Sequence, residues 1–171
     1  NYKGISYRYI YISTATCGDN DQIDSNPYVR SKYLSEKFIA NNVDNYIIIR
    51  LTFPFGRGEG INRLISRLIH KISKDEHLIL DDVILNLTPI DFLLQYIPEL
   101  INSDQKLVTF TDGVTYNLID IVDVIYRTLE KTNRYEITSK QVDLTVKNTG
   151  IYFNNINTLN EIEGMASEVQ R

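Results

Sequence analysis

A tyrosine and a lysine stand four residues apart in NPYVRSKYLSEKF, residues 26–38. On a helix, positions i and i+4 share a face, so Tyr28 and Lys32 can bring a phenol and an ammonium into one small volume. A cation fixed beside a phenol favours phenolate and draws tyrosine's ordinary pKa of about 10 toward the range where a general acid or base works. The same spacing also arises on helix surfaces that do no chemistry, so the pair must be judged by its neighbours. Two hydroxyls, Ser13 and Thr14, close the run YRYIYIST just upstream. Strand-end hydroxyls often only bond local backbone, and that reading stays open for both.

The elements around these residues follow from pattern. Tyr7 to Thr14 alternates aromatic and β-branched residues and reads as a strand, with ATCGDNDQIDS after it as a polar loop. Asn26 is an N-cap and Pro27 a first helical residue, and Tyr28, Lys32, Tyr33, Leu34, Phe38 and Ile39 then recur at helical spacing. NYIIIRLTFPFG carries a continuous apolar run before its proline and glycine, as a parallel strand covered on both faces does. INRLISRLIHKISK places Ile61, Leu64, Ile65, Leu68, Ile69 and Ile72 on one face of an amphipathic helix.

HLIL predicts a short strand. LTPIDFLLQYIPELI predicts a helix capped by Thr88, with Pro89 in its first turn and a kink or break at Pro98. KLVTFTDG and YNLIDIVDVIYRTLEK give another strand and another helix, and QVDLTV a further strand. YFNNINTLNEIEG is polar and weakly periodic, and predicts a loosely packed end. Strands separated by helices of this length make an α/β fold around a mostly parallel sheet, expected as a single domain over residues 1–171.

The order of these pieces resembles the extended short-chain dehydrogenase/reductase superfamily of NAD(P)-dependent sugar-nucleotide epimerases, dehydratases and reductases. In that family a serine or threonine closes one parallel strand, a P-Y-x-x-S-K helix follows, and the next strand runs into an R-x-x-x-x-[YF]-G loop. PYVRSK and RLTFPFG match both patterns, and the likeness in pattern extends over most of the chain. The resemblance implies a partial Rossmann-like sheet with a small C-terminal substrate lobe, a nucleotide-linked sugar as substrate and NAD or NADP as cofactor. It makes Tyr28 the acid/base residue and Lys32 the group that steadies its phenolate and bonds the nicotinamide ribose.

For the hydroxyl partner, alignment on the strand selects Thr14 and alignment on Gly18 selects Ser13; a strand tolerates length changes less readily than a loop, so Thr14 is preferred. The resemblance also places Thr52, Phe53 and Pro54 beside the nicotinamide and Arg57 near a substrate diphosphate. An aromatic at Phe53 and the LTPIDF segment fit dTDP-4-dehydrorhamnose reductases as the nearest subgroup. Family members commonly pair as homodimers through the tyrosine-bearing helix. A glycine-rich pyrophosphate turn is missing: Gly56, Gly58 and Gly60 are spaced G-x-G-x-G, not G-x-G-x-x-G. The chain therefore reads as the catalytic and substrate-side portion of such an enzyme without its cofactor-fingerprint half, the alternative being a non-catalytic remnant with a binding or assembly role.

Bulk properties narrow the remaining classes. A net charge of -4 with scattered cations offers no basic patch for nucleic acid or anionic lipid. No apolar run approaches the ~20 residues of a membrane span, and the start lacks a signal-peptide core. A cytoplasmic protein is expected, the single Cys17 fitting a reducing compartment. The start at Asn1, close to a strand, predicts a piece of a longer polypeptide. Cys17 reads as a packing residue, and His70 and His77 as structural, with no metal-ligand spacing around them. Asp81, Asp82 and Asp91 read as solvated turn or helix-start carboxylates.

Overall fold

Helices and strands follow one another along the chain, and the described strands fall into a four-stranded parallel sheet, a short parallel pair and the three-stranded sheet of a second lobe. The computed structural model describes residues 7–58, 60, 63–146, 151–152 and 157–169. Strand β1 (Tyr9–Thr14) leads through one turn of 3-10 helix (Ala15–Gly18) and a short helix α1 (Asn20–Ser25) into α2 (Pro27–Asn42) and strand β2 (Tyr46–Leu51). After β3 (Pro54–Phe55) come α3 (Leu64–Ser73), β4 (Leu78–Leu85), β5 (Thr88–Pro89), α4 (Ile90–Asn102) and β6 (Leu107–Thr111). The remainder is β7 (Tyr116–Asn117), α5 (Leu118–Thr128), β8 (Tyr135–Leu144), β9 (Ile151–Tyr152) and α6 (Thr158–Glu168).

The main sheet has the order β1-β2-β6-β9 with every pairing parallel. Its central strand β2 explains the apolar run in the sequence: Ile47, Ile48 and Ile49 are all buried, so both faces are covered. Ile47, Ile49 and Leu51 pack with Val108 and Phe110 of β6 against Leu93 and Leu100 of α4. By strand alternation Ile48 and Arg50 face the other way, toward α2. Arg8 ties the C-terminal end of α4 to this sheet, its guanidinium donating to the carbonyls of Leu100 (3.1 Å), Ile101 (2.6 Å) and Ser103. A cation suits the last carbonyls of a helix.

The second lobe holds the larger core. Ile65, Leu68, Ile69 and Ile72 of α3 meet Ile121 and Ile125 of α5 and Ile162 and Ala166 of α6, over the sheet β7-β4-β8. In that sheet β4 and β8 run parallel while β4 and β7 run antiparallel.

Several sequence expectations change here. Residues 15–25 are not a bare polar loop, because Asp19 accepts from the Asp21 and Gln22 amides and starts α1. β4 is eight residues long, not a short HLIL strand, since β8 supports it along its length. Asp81 and Asp82 therefore lie within a strand, where Thr138 donates to Asp81 (2.6 Å) and Asn117 to Asp82 (2.8 Å). Thr88 does not cap α4. Its buried hydroxyl accepts from the Thr52 amide (3.0 Å) and donates to the Phe110 carbonyl (2.8 Å), tying the end of β2 to β6. Pro98 does not split α4, which continues unbroken to Asn102.

The expected loose end is in part a packed helix. α6 buries Ile162, Met165 and Ala166, and its Thr158 hydroxyl bonds the buried Asp112 carboxylate. Residues 153–156 and Ile61 lie outside the described residues. α2 also departs from pattern: Val29, Glu36 and Ile39 are its buried positions, whereas Tyr28, Leu34 and Phe38 are exposed.

Candidate active site

Ser13 pairs in register with Arg50 and Thr14 with Leu51, so β1 and β2 end side by side. In open α/β sheets ligands bind outside the carboxyl ends of the strands, and this is such an end. The chain returns to it in α2. Asn26 accepts from the Tyr28 amide (3.0 Å) and Val29 amide (3.4 Å) with Pro27 in the first turn, the cap the sequence implies. The Cys17 thiol donates to the Val29 carbonyl (3.6 Å), holding that first turn against the strand end.

Tyr28 is 58% exposed, and among the described residues its hydroxyl makes no hydrogen bond. One turn on, the Lys32 ammonium donates to the Ile12 carbonyl (2.9 Å) and lies 4.9 Å from the centre of the Tyr11 ring. The two hydroxyls of the strand end separate. Ser13 is buried on the face toward α2, with its Oγ 3.7 Å from Cys17 Sγ. Thr14 ends the strand half-buried, its Oγ1 2.8 Å from Thr16 Oγ1. The first turn of α2, with Tyr28 on it, and the Thr14 hydroxyl thus stand at one end of the sheet, and Lys32 is bonded to the strand backbone two residues before Thr14. Burial comes first among the causes that push the Cys17 thiol above its ordinary value, which agrees with a packing role.

Sequence reasoning missed the group that fixes α2 at this angle. Glu36, one further turn beyond Lys32, forms a two-pronged ion pair with Arg50 of β2, at 3.0 and 2.6 Å, with side-chain exposures of only 7% and 14%. Burial alone would lower the Arg50 guanidinium, but the bond and charge of Glu36 outweigh it and hold it above its ordinary value. The signal was available as a carboxylate four residues after Lys32 and a lone arginine inside IIIRL.

At the end of β2, Thr52 is buried and its amide is held by Thr88, while Pro54 begins β3 and pairs with Thr88. Phe53 between them has φ of 37°. The other non-glycine residues with positive φ among those described, Asp75 and Glu130, follow the last turns of α3 and α5, where a left-handed residue closes a helix. Phe53 closes no helix. Such strain persists where the surroundings impose it, and it concentrates at functional sites. Arg57 reaches away to α6, its Nε 3.3 Å from Glu168 Oε1 with both side chains about half exposed. That surface pair is weakly held and leaves the arginine free to exchange partners.

Among the described residues no group of three or more His, Cys, Asp or Glu could hold a metal ion. His77 Nε2 lies 3.5 Å from Glu136 Oε1, His70 sits on α3, and Asp91 is in the first turn of α4. No described helix is long and apolar enough to cross a membrane.

No family model matches the sequence, and no curated protein matches it in sequence either. Solved structures do match in fold. UDP-glucuronic acid 4-epimerase from Bacillus cereus, solved with NAD, superposes with a TM-score of 0.72 at 15% identity, over 96% of this chain and 62% of that one. dTDP-glucose 4,6-dehydratase from Bacillus anthracis, also with NAD, gives 0.72 at 12% identity, over 95% of this chain and 61% of that one. RMD from Pseudomonas aeruginosa, complexed with NADPH, gives 0.70 at 12% identity, over 97% and 68%. The chain therefore has the Rossmann-like α/β fold of these proteins, as the resemblance in the sequence implied, and spans about three-fifths of the length of the first two.

Proposed function

We propose that residues 1–171 form the acid/base and substrate-side part of an NAD(P)-dependent enzyme that oxidises, epimerises, dehydrates or reduces a nucleotide-linked sugar. What supports this reading is that the first turn of α2, which carries Tyr28, stands at the same end of the sheet as Thr14, with Lys32 bonded to the β1 backbone and the strained Phe53 turn following the neighbouring strand β2. A shared fold is compatible with many functions, so the weight rests on that constellation.

The residues at this end fit the nicotinamide ribose, a polyol that needs hydrogen-bonding hydroxyls and a cationic donor. They do not supply a pyrophosphate cradle, because the sequence carries no G-x-G-x-x-G turn. When bound, the nicotinamide takes up or returns a hydride at the sugar carbon. Tyr28 takes the proton from the sugar hydroxyl as that carbon gives up its hydride, and returns it in the reverse direction. Lys32 favours the phenolate by its charge and bonds the ribose. Thr14, the accessible hydroxyl of the strand end, aims the sugar oxygen at Tyr28. Thr52, Phe53 and Pro54 wall the nicotinamide side, and Arg57, released from Glu168, reaches the substrate diphosphate. We place a dTDP-4-dehydrorhamnose-type 4-keto sugar first among the substrates to try.

The test is turnover of UDP- and dTDP-sugars with NAD or NADP by the polypeptide as its gene encodes it. Tyr28→Phe should lower the rate by about 10²–10⁴-fold, the usual worth of a positioned acid/base, with circular dichroism unchanged. Tyr9→Phe, at an exposed tyrosine on β1, is the control. Full turnover by Tyr28→Phe rejects the assignment.

A further inference from the structure

Helix α6 ends on a charge that its own dipole disfavours. Glu168 is its last residue, and the last turn carries no basic residue. The C-terminal end of a helix is negative, so a carboxylate there is repelled and a cation is attracted. The cation comes from elsewhere in the chain. Arg57, two residues beyond β3, brings its Nε to 3.3 Å from Glu168 Oε1.

A second feature of α6 fits the same guanidinium. Gly164 stands four residues before Glu168, so the two share one face of the helix. A Cβ at that glycine would lie 3.4 Å from Arg57 Nη2, and any longer side chain would meet the arginine. Glycine inside a helix is unfavourable relative to alanine, and here it leaves that face bare where Arg57 lies. The helix itself is held in place. Ile162, Met165 and Ala166 are buried, and Thr158 at its start bonds the buried Asp112 carboxylate. The arginine contact is made at the surface, with both side chains about half exposed, and such pairs contribute little. A fixed helix thus gives Arg57 a shaped but weak seat.

We propose that Gly164 and Glu168 form a resting seat for Arg57 that competes with the diphosphate of the substrate for the same guanidinium. This rests on the diphosphate contact given to Arg57 above. A diphosphate offers the guanidinium two parallel charge-assisted bonds where Glu168 offers one contact, so it displaces the carboxylate when present. Competition of this kind is reciprocal. Glu168 weakens diphosphate binding, and bound diphosphate takes from α6 the cation at its C-terminal end.

Titration calorimetry with UDP and with dTDP, on the polypeptide as its gene encodes it, tests the competition. Glu168→Gln should bind the preferred nucleotide about two- to fivefold more tightly, the small worth of an exposed ion pair, and Gly164→Leu should do the same by crowding the seat. Arg57→Gln should bind roughly tenfold more weakly, and adding Glu168→Gln to it should change nothing further, because Glu168 acts only through Arg57. Saturating nucleotide should also speed exchange of the Val169 amide, which bonds the Ala166 carbonyl at the end of α6, in the unmodified protein and not in Arg57→Gln. Unchanged or weaker binding by Glu168→Gln, unchanged binding by Gly164→Leu, or a gain from Glu168→Gln that persists without Arg57 overturns the seat while leaving the diphosphate contact standing. Binding by Arg57→Gln as tight as that of the unmodified protein, or no binding of either nucleotide, rejects that contact and the seat with it.

Discussion

At the level of single residues, the two hydroxyls closing β1 differ in what they can reach. Ser13 faces α2 but is buried against Cys17, whereas Thr14 is half-buried at the strand end and bonded to a solvent-exposed Thr16. If Thr14 aims the substrate oxygen, Thr14→Val removes a hydrogen bond to a charge-bearing transition state and lowers kcat by roughly tenfold or more. Ser13→Ala should leave kcat within about twofold, its hydroxyl making only a long contact to sulfur. Steady-state rates of the two variants decide the matter, and a reversal of their effects assigns the role to Ser13. The sequence favoured Thr14 only because a strand tolerates length changes less readily than a loop, since alignment on the glycine selects Ser13 instead. The distinction is one of burial, which a strand end does not advertise in its residue types.

At the level of elements, the angle of α2 on the sheet depends on an ion pair that sequence periodicity hides. A charged residue at a buried helix position breaks the apolar stripe, so Glu36 reads as surface until Arg50 is found under it. Removing one partner of a buried pair strands the other charge, at a cost of about 3–5 kcal/mol. Glu36→Gln should therefore lower the melting temperature markedly. Glu36→Met combined with Arg50→Met should recover much of the loss, since an apolar replacement of both partners is often tolerated. Thermal unfolding of the single and double variants checks this, and equal melting temperatures throughout would show that the pair does not hold α2.

The same contrast explains which elements were legible. α2 was readable from its Asn26–Pro27 start, α3 and α5 from their apolar residues, and β2 from its apolar run. Thr88 and α6 were not. Thr88 looks like a cap beside a proline, and only the approach of Thr52 and Phe110 gives its hydroxyl other partners. α6 is held largely by contacts distant in sequence, with Ile162 and Ala166 entering a core built by α3 and α5.

At the level of the whole molecule, α6 is latched by the buried Asp112, which receives the hydroxyls of Tyr116 (2.7 Å) and Thr158. Burial pushes the Tyr116 phenol far above its ordinary value; the Thr158 hydroxyl opposes the rise, and the bond and charge of Asp112 add to it. The folded protein thus keeps a proton that the unfolded chain releases near pH 10, and bound protons in excess on the native side mean stability falls as pH rises. Denaturant unfolding should show stability steady below about pH 9.5 and declining above it, by up to about 1.4 kcal/mol per pH unit for this one group. Tyr116→Phe should flatten the decline. Tyr135, raised by burial and by Asp123, contributes with the same sign and keeps the slope from vanishing. A slope unaltered by Tyr116→Phe would remove Tyr116 from the account.

Whether a lysine one turn away makes this tyrosine an acid/base is read most directly from the pH dependence of turnover in the whole encoded polypeptide, with and without that ammonium. The account predicts that Lys32→Met moves the rising limb of the rate profile to higher pH and weakens nicotinamide binding together. A profile that keeps its midpoint while only its height falls would contradict it.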